Sequence, residues 1–212
     1  TITDLGASNN GTISGATYSK ANGGVLDFDG SNDYVEVSNS SEFDPGTGDF
    51  SVGLWFKPDD TNVTWNYVIT SGNPNSTYQG WSIGIETNTL VYKCNAGGGT
   101  TNRASTVKST FTSTDWNYAT LVIDRSNNII KGYLNGSDSD FVSGGGGPSS
   151  NSISGFGSIA SGENLRFGDT DPTQSNYFFN GQIASCEIYQ GKALTAAEVL
   201  QNYNATKSRF GL

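Results

Sequence analysis

The sequence predicts an all-β chain, two antiparallel sheets packed face to face with one helix at the C-terminus, on three observations. Runs of apolar, β-branched and aromatic residues recur along the 212 residues, and several alternate with polar ones. Between them stand clusters of Asn, Gly, Ser and Asp, the residues that tolerate tight-turn backbones. There are also 28 glycines, about twice the usual ~7%, while only 15% of residues are charged against a usual ~25%.

Taken in order, strands are expected near 25–29, 34–38, 50–58, 65–70, 80–86, 89–95, 115–124, 128–134, 164–168 and 178–189. The third is the clearest, because Phe50, Val52, Leu54 and Phe56 share one face while Ser51, Gly53, Trp55 and Lys57 share the other. Turns are expected at Asn9-Asn10-Gly11, Gly30-Ser31-Asn32-Asp33, Asn73-Pro74-Asn75, Ser126-Asn127-Asn128 and Asn135-Gly136. The segment from Phe141 to Ser158 is low in complexity and is expected to be a long mobile loop that buries little. Thr195 and Glu198 form a T-x-x-E capping box, with Leu194 and Val199 placed as a hydrophobic staple. A helix is therefore expected from Ala196 to about Thr206, turning Val199, Leu200 and Tyr203 inward. Ten strands and one helix point to a jelly-roll β-sandwich, a single domain over 1–212.

Charge and residue inventory exclude several functions. Eleven basic against twenty acidic residues give −9, with no basic run, so nucleic acid and anionic membrane surfaces are not expected partners. No stretch reaches the ~20 apolar residues of a membrane-spanning helix. The absence of Met leads us to expect a piece of a longer chain or a matured product. With no His, neither a zinc site nor a Ser/His/Asp or Cys/His nucleophile can be assembled. Cys94 and Cys186 are expected as buried free thiols, and they can pair only if the fold brings their Cα atoms within ~7 Å.

Three segments carry a family resemblance: GGVLDFDGSNDYVEVSNSSEFDPGTGDFSVGLWFKPDD, WNYATLVIDRSNNIIKGYLNGS and FFNGQIASCEIYQGKALTAAEVLQNY. Spread over residues 23–204, they resemble the concanavalin A-like lectin/glucanase superfamily in its laminin G-like branch. The tail from Ala197 to Leu212 is similar to the closing residues of bacteriophage structural and appendage proteins. Members of that group carry a further strand upstream, so an N-terminal strand is expected to be missing. The resemblance implies a non-enzymatic carbohydrate-binding or surface-display module of a virion decoration, fibre or tail protein that adheres to cell-surface polysaccharide. It would be displayed in many copies beside other virion proteins, on a virion surface or otherwise extracellular. The alternatives are a structural spacer without a glycan ligand and a glycanase.

Residues weigh these readings. Retaining glycoside hydrolysis needs two carboxyl groups ~5–5.5 Å apart, and the superfamily's hydrolases carry them as E-x-D-x-x-E on one strand. No such run occurs, and Glu86 and Glu187 stand alone on their strands. Asp27, Asp29 and Asp33 are turn-forming carboxylates that could also hold a structural calcium, with Asp29 and Asp33 as ligands. The superfamily's usual acidic partner in the last strand is replaced here by Ala184, so no cofactor is expected. Glycans stack on outward aromatics. The ligand-binding candidates are Trp55 with Lys57 on its strand face, Trp116 with Tyr118, and Tyr78 with Trp81 around a glycine. Their alternative is packing under a loop or against another subunit. Six N-x-S/T sequons, at Asn10, Asn39, Asn62, Asn75, Asn135 and Asn204, mark segments expected at the surface.

Overall fold

The computed structural model describes residues 9–73, 79–97, 103–107, 111–139, 151–170 and 177–212. In chain order its strands are β1 (Gly11–Ser14), β2 (Thr17–Ser19), β3 (Val25–Asp29), β4 (Tyr34–Val37), β5 (Phe50–Pro58), β6 (Asn66–Gly72) and β7 (Gln79–Ile85). Then come β8 (Leu90–Ala96), β9 (Arg103–Val107), β10 (Asn117–Asp124), β11 (Ile129–Leu134), β12 (Ser137–Asp138), β13 (Leu165–Phe167) and β14 (Asn180–Gln190), before helix α1 (Ala196–Thr206) and a 3-10 turn at Lys207–Phe210. All ten expected strands are present within two residues of their expected bounds. The four unforeseen ones, β1, β2, β9 and β12, are short and lack an apolar alternation.

The strands form two seven-stranded antiparallel sheets. Sheet A runs β1-β4-β13-β6-β7-β8-β9, and sheet B runs β12-β11-β10-β5-β14-β3-β2. Their facing sides bury a continuous core in which Phe50, Val52, Leu54 and Phe56 of sheet B meet Val68, Trp81, Ile83 and Tyr92 of sheet A. Each such side chain, fully removed from water, contributes about 1.5–3 kcal/mol. Both cysteines are free thiols; Cys94 lies in the core, where burial pushes its pKa up to about 12.

Two expectations are corrected here. The end of the low-complexity segment is packed: Ile153 is wholly buried, its N–H donates to the Asn128 carbonyl at 2.9 Å, and Ile130 N–H donates to the Asn151 carbonyl at 2.8 Å. Residues 141–150 lie outside the described residues. Arg125 holds this stretch against the 44–49 segment by donating to the carbonyls of Gly46 and Gly157 at 2.9 and 2.7 Å. The second correction concerns Leu200, which is 45% exposed because it lies over Gly136 at the rim of sheet B, where a Cβ on that glycine would stand 2.8 Å away.

The helix begins where the capping box placed it, with both reciprocal hydrogen bonds formed. Leu194 and Val199 are both buried against Val122 and Tyr133, so the staple holds the helix to the outer face of sheet B. The link from β14 into α1 is fixed by Ser51, whose hydroxyl donates to the Lys192 carbonyl and accepts from Leu194 N–H, both at 2.9 Å. Lys192 and the capping hydrogen bonds from Thr195 hold the exposed Glu198 carboxyl down at a pKa of about 2. Among the described residues no helix is long and apolar enough to cross a membrane.

Candidate functional site

The structure separates the five described ligand-binding candidates into three groups. Trp81 points into the main core, its ring tilted against Phe50 at 5.1 Å with its indole N–H donating to the Phe43 carbonyl at 2.9 Å. Trp55 and Tyr118 do point outward from sheet B, as their parity requires, but the chain's own C-terminal segment covers both. Trp55 is 0% exposed, sandwiched against Phe210 at 4.2 Å and Tyr203 at 5.7 Å, and its indole N–H donates to Thr206 Oγ1 at 2.8 Å. These three residues therefore offer no sugar-stacking face, which corrects the sequence expectation. Tyr78 lies outside the described residues. Lys57 and Trp116 remain half-buried and partly open to water.

These two survivors belong to one surface. Strand pairing aligns Asp27 of β3 with Gln182 of β14, and Gln182 with Lys57 of β5. Trp116 follows on the next strand's approach, one residue before Asn117, which pairs Phe56. All four lie on the outer face of sheet B, just beyond the C-terminal segment, and all are half-buried. Three interstrand steps make this shelf about 14 Å long. Gln182 Nε2 donates to Asp27 Oδ2 at 2.9 Å, which leaves its amide oxygen to accept. Phe210 supports the Trp116 ring from behind at 4.6 Å, and Arg209 donates to the carbonyls of Asn22 and Gly24, tying down the segment that borders the shelf. Asp27 and Gln182 were not among the sequence candidates. The alternations L-D-F-D and G-Q-I gave their outward parity, but only cross-strand register makes them neighbours of Lys57.

Under the helix a buried polar pair completes this face. Tyr118 Oη donates to Glu187 Oε2 at 3.0 Å, in space left by Gly53, where a Cβ would stand 2.2 Å from that hydroxyl. Burial raises the Glu187 carboxyl above its ordinary 4.5, with the Tyr118 hydrogen bond and the Arg209 charge opposing it. Because the folded-state value is the higher one, the folded chain holds more protons between the two values, and stability falls as pH rises through that window. A Glu187→Gln variant keeps an acceptor for Tyr118 and loses the charge. It is expected to melt about 2 °C or more above the parent at pH 8, with the gap closing toward pH 4.5, as a pH series of melting curves would show.

The outer face of sheet A carries a second polar row that the sequence candidates did not include. Register aligns Glu36, Arg166, Thr70, Ser82 and Lys93 across five strands. Arg166 pairs with Glu36, donates to Asp169 Oδ2 at 3.3 Å, and lies over the Tyr34 ring at 4.8 Å. Lys93 Nζ is 3.7 Å from the centroid of Trp65. Arg166, Thr70, Ser82 and Lys93 are buried, and the two cations already occupy aromatic faces, so this row acts as packing.

The two expected calcium ligands accept hydrogen bonds within their own turn. Asp33 Oδ2 accepts from Asp29 N–H at 3.0 Å, and Asp29 Oδ1 accepts from Ser31 N–H at 2.8 Å. Among the described residues no group of three His, Cys, Asp or Glu side chains could hold a metal. Glu86 follows β7 of sheet A, while Glu187 is in β14 of sheet B and hydrogen-bonded to Tyr118, so these carboxylates belong to different sheets.

Solved structures share this architecture. The botulinum neurotoxin serotype G binding domain is similar with a TM-score of 0.74 at 18% identity over 98% of this chain. The binding domain of Paraclostridial Mosquitocidal Protein 1 is similar with 0.74 at 18% identity over 95%. A structure of botulinum neurotoxin type C, whose cell entry is dependent upon interaction with two ganglioside molecules, gives 0.69 at 19% identity over 95%. The chain spans about half the length of each, 49%, 49% and 47% respectively, and at these identities the likeness shows the fold. No curated protein matches by sequence. A laminin G-like family model does match, over residues 29–200, and the chain belongs to the concanavalin A-like lectin/glucanases superfamily.

Proposed function

We propose that the protein is a non-enzymatic glycan-binding module, acting outside cells, whose binding surface is the shelf formed by Trp116, Lys57, Gln182 and Asp27. The observation that carries this is the half-open Trp116 ring, braced by Phe210 at one end of a row of hydrogen-bonding side chains. A sugar ring stacks on the indole while the row exchanges hydrogen bonds with its hydroxyls. Such a shallow surface binds weakly in one copy, and display in many copies multiplies the affinity without new contacts. Attachment to a virion, in the manner of the phage appendage proteins its tail resembles, supplies that multiplicity in our reading. The botulinum serotype G and mosquitocidal neighbours, both binding domains, support a binding role for this architecture. The spacer alternative drew on outward aromatics buried between subunits, and for Trp55 and Tyr118 the chain's own C-terminal segment supplies that burial.

The test is a glycan array probed with the multimerised protein, followed by titration of the best polysaccharide. Trp116→Ala is expected to weaken binding at least about tenfold, or ~1.4 kcal/mol, and Gln182→Ala to weaken it less, each with a native circular-dichroism spectrum. Wild-type protein that binds no polysaccharide would overturn the proposal, as would binding indifferent to Trp116.

A further inference from the structure

The charges around the shelf are lopsided, and this bears on which glycans it admits. Lys57 is the cation in the row, and Asp27 stands two strands away on the same face. Asp29 shares the outward parity of Asp27 and is exposed. Asp59 follows Lys57 at the end of β5, and Asp115 precedes Trp116; both are exposed. Arg209, on the segment that borders the shelf, is engaged in donating to two backbone carbonyls. Four carboxylates thus surround a surface with one cation in its row, on a chain whose net charge is −9. Uncharged hydroxyls suit this setting, because the carboxylates and the Gln182 amide accept from them while Lys57 donates. A carboxylate or sulfate on the ligand meets like charge at several points within about one Debye length, ~10 Å at 0.1 M salt. Repulsion of this kind discriminates without any added attraction for the preferred ligand.

We infer that the shelf selects neutral saccharides and rejects uronate-bearing, sulfated and sialylated ones, with Asp29 and Asp59, which meet at Asn180 just outside the shelf, as the excluding groups. The inference rests on the shelf being the glycan site. The experiment is parallel titration of laminarin, mannan and galactan against alginate, hyaluronan and sialyllactose, at 50 and 500 mM NaCl, with the full chain and with the Asp29→Asn/Asp59→Asn double variant. Neutral polymers are expected to bind the parent with less than about twofold change between the two salts, and the anionic probes not to bind at 50 mM. The double variant retains neutral binding and gains anionic binding at low salt. Preference of the parent for an anionic probe, lost in Trp116→Ala, overturns the selectivity and leaves the glycan site standing. A double variant that still rejects anionic probes overturns the assignment of the excluding groups. Binding of no probe overturns both the selectivity and the site.

Discussion

A Phe210→Ala variant is expected to melt about 6–12 °C below the parent. Phe210 is 9% exposed and inserted between Trp55 at 4.2 Å and Trp116 at 4.6 Å, so its loss leaves a gap in a stack of four aromatic rings. Phe→Ala changes in packed sites cost about 3–5 kcal/mol. The low end applies, since the short 3-10 turn that carries the residue can relax into the gap. At about 2–4 °C per kcal/mol for a chain of this size, ~3 kcal/mol gives the stated range. Exposure of Trp55 should also shift the intrinsic fluorescence to the red at temperatures below melting. An unchanged melting temperature and spectrum would mean that the C-terminal segment does not seal this face. Deleting Thr195 through Leu212 should have the larger effect, because it also uncovers Val122 and Tyr133.

Arg166→Met is expected to be the most damaging single change on sheet A. The guanidinium is 9% exposed and pairs with Asp169, 5% exposed, and with Glu36, 32% exposed. Removing one member of a buried ion pair costs about 3–5 kcal/mol, because the partner's charge is left without compensation. A fall of at least about 6 °C follows, measured by calorimetry at pH 7. Neutralising the partners as well, in Arg166→Met with Glu36→Gln and Asp169→Asn, should recover part of the loss, since well-packed neutral groups can replace a buried ion pair at little cost. A triple variant no more stable than the single one would show that packing around the arginine stem, not charge, is what the single change removes.

The shelf and the occluded tryptophan show how far the candidate site was legible. The alternation in β5 correctly assigned Trp55 and Lys57 to the outward face. It said nothing of what lies above that face, and the two residues have opposite fates: Trp55 is sealed by Phe210, more than 150 positions along the chain, while Lys57, two residues on, stays partly open. Gln182 and Asp27 are separated by 155 positions and meet only through the β3–β14 register. No local pattern encodes that register.

What the sequence determined by itself is local and periodic. Side-chain parity set the strands and their inward faces, Asn128 and Asn135 took the positive φ that their turns require, and the T-x-x-E box started the helix at its observed residue. These features are legible because each depends on the energies of a few consecutive residues. The tertiary structure decided which outward residues meet solvent, which strands are neighbours, and where the helix comes to rest. Those outcomes depend on burial of apolar area between segments far apart in the chain, and that energy belongs to the pair of surfaces and to neither segment alone.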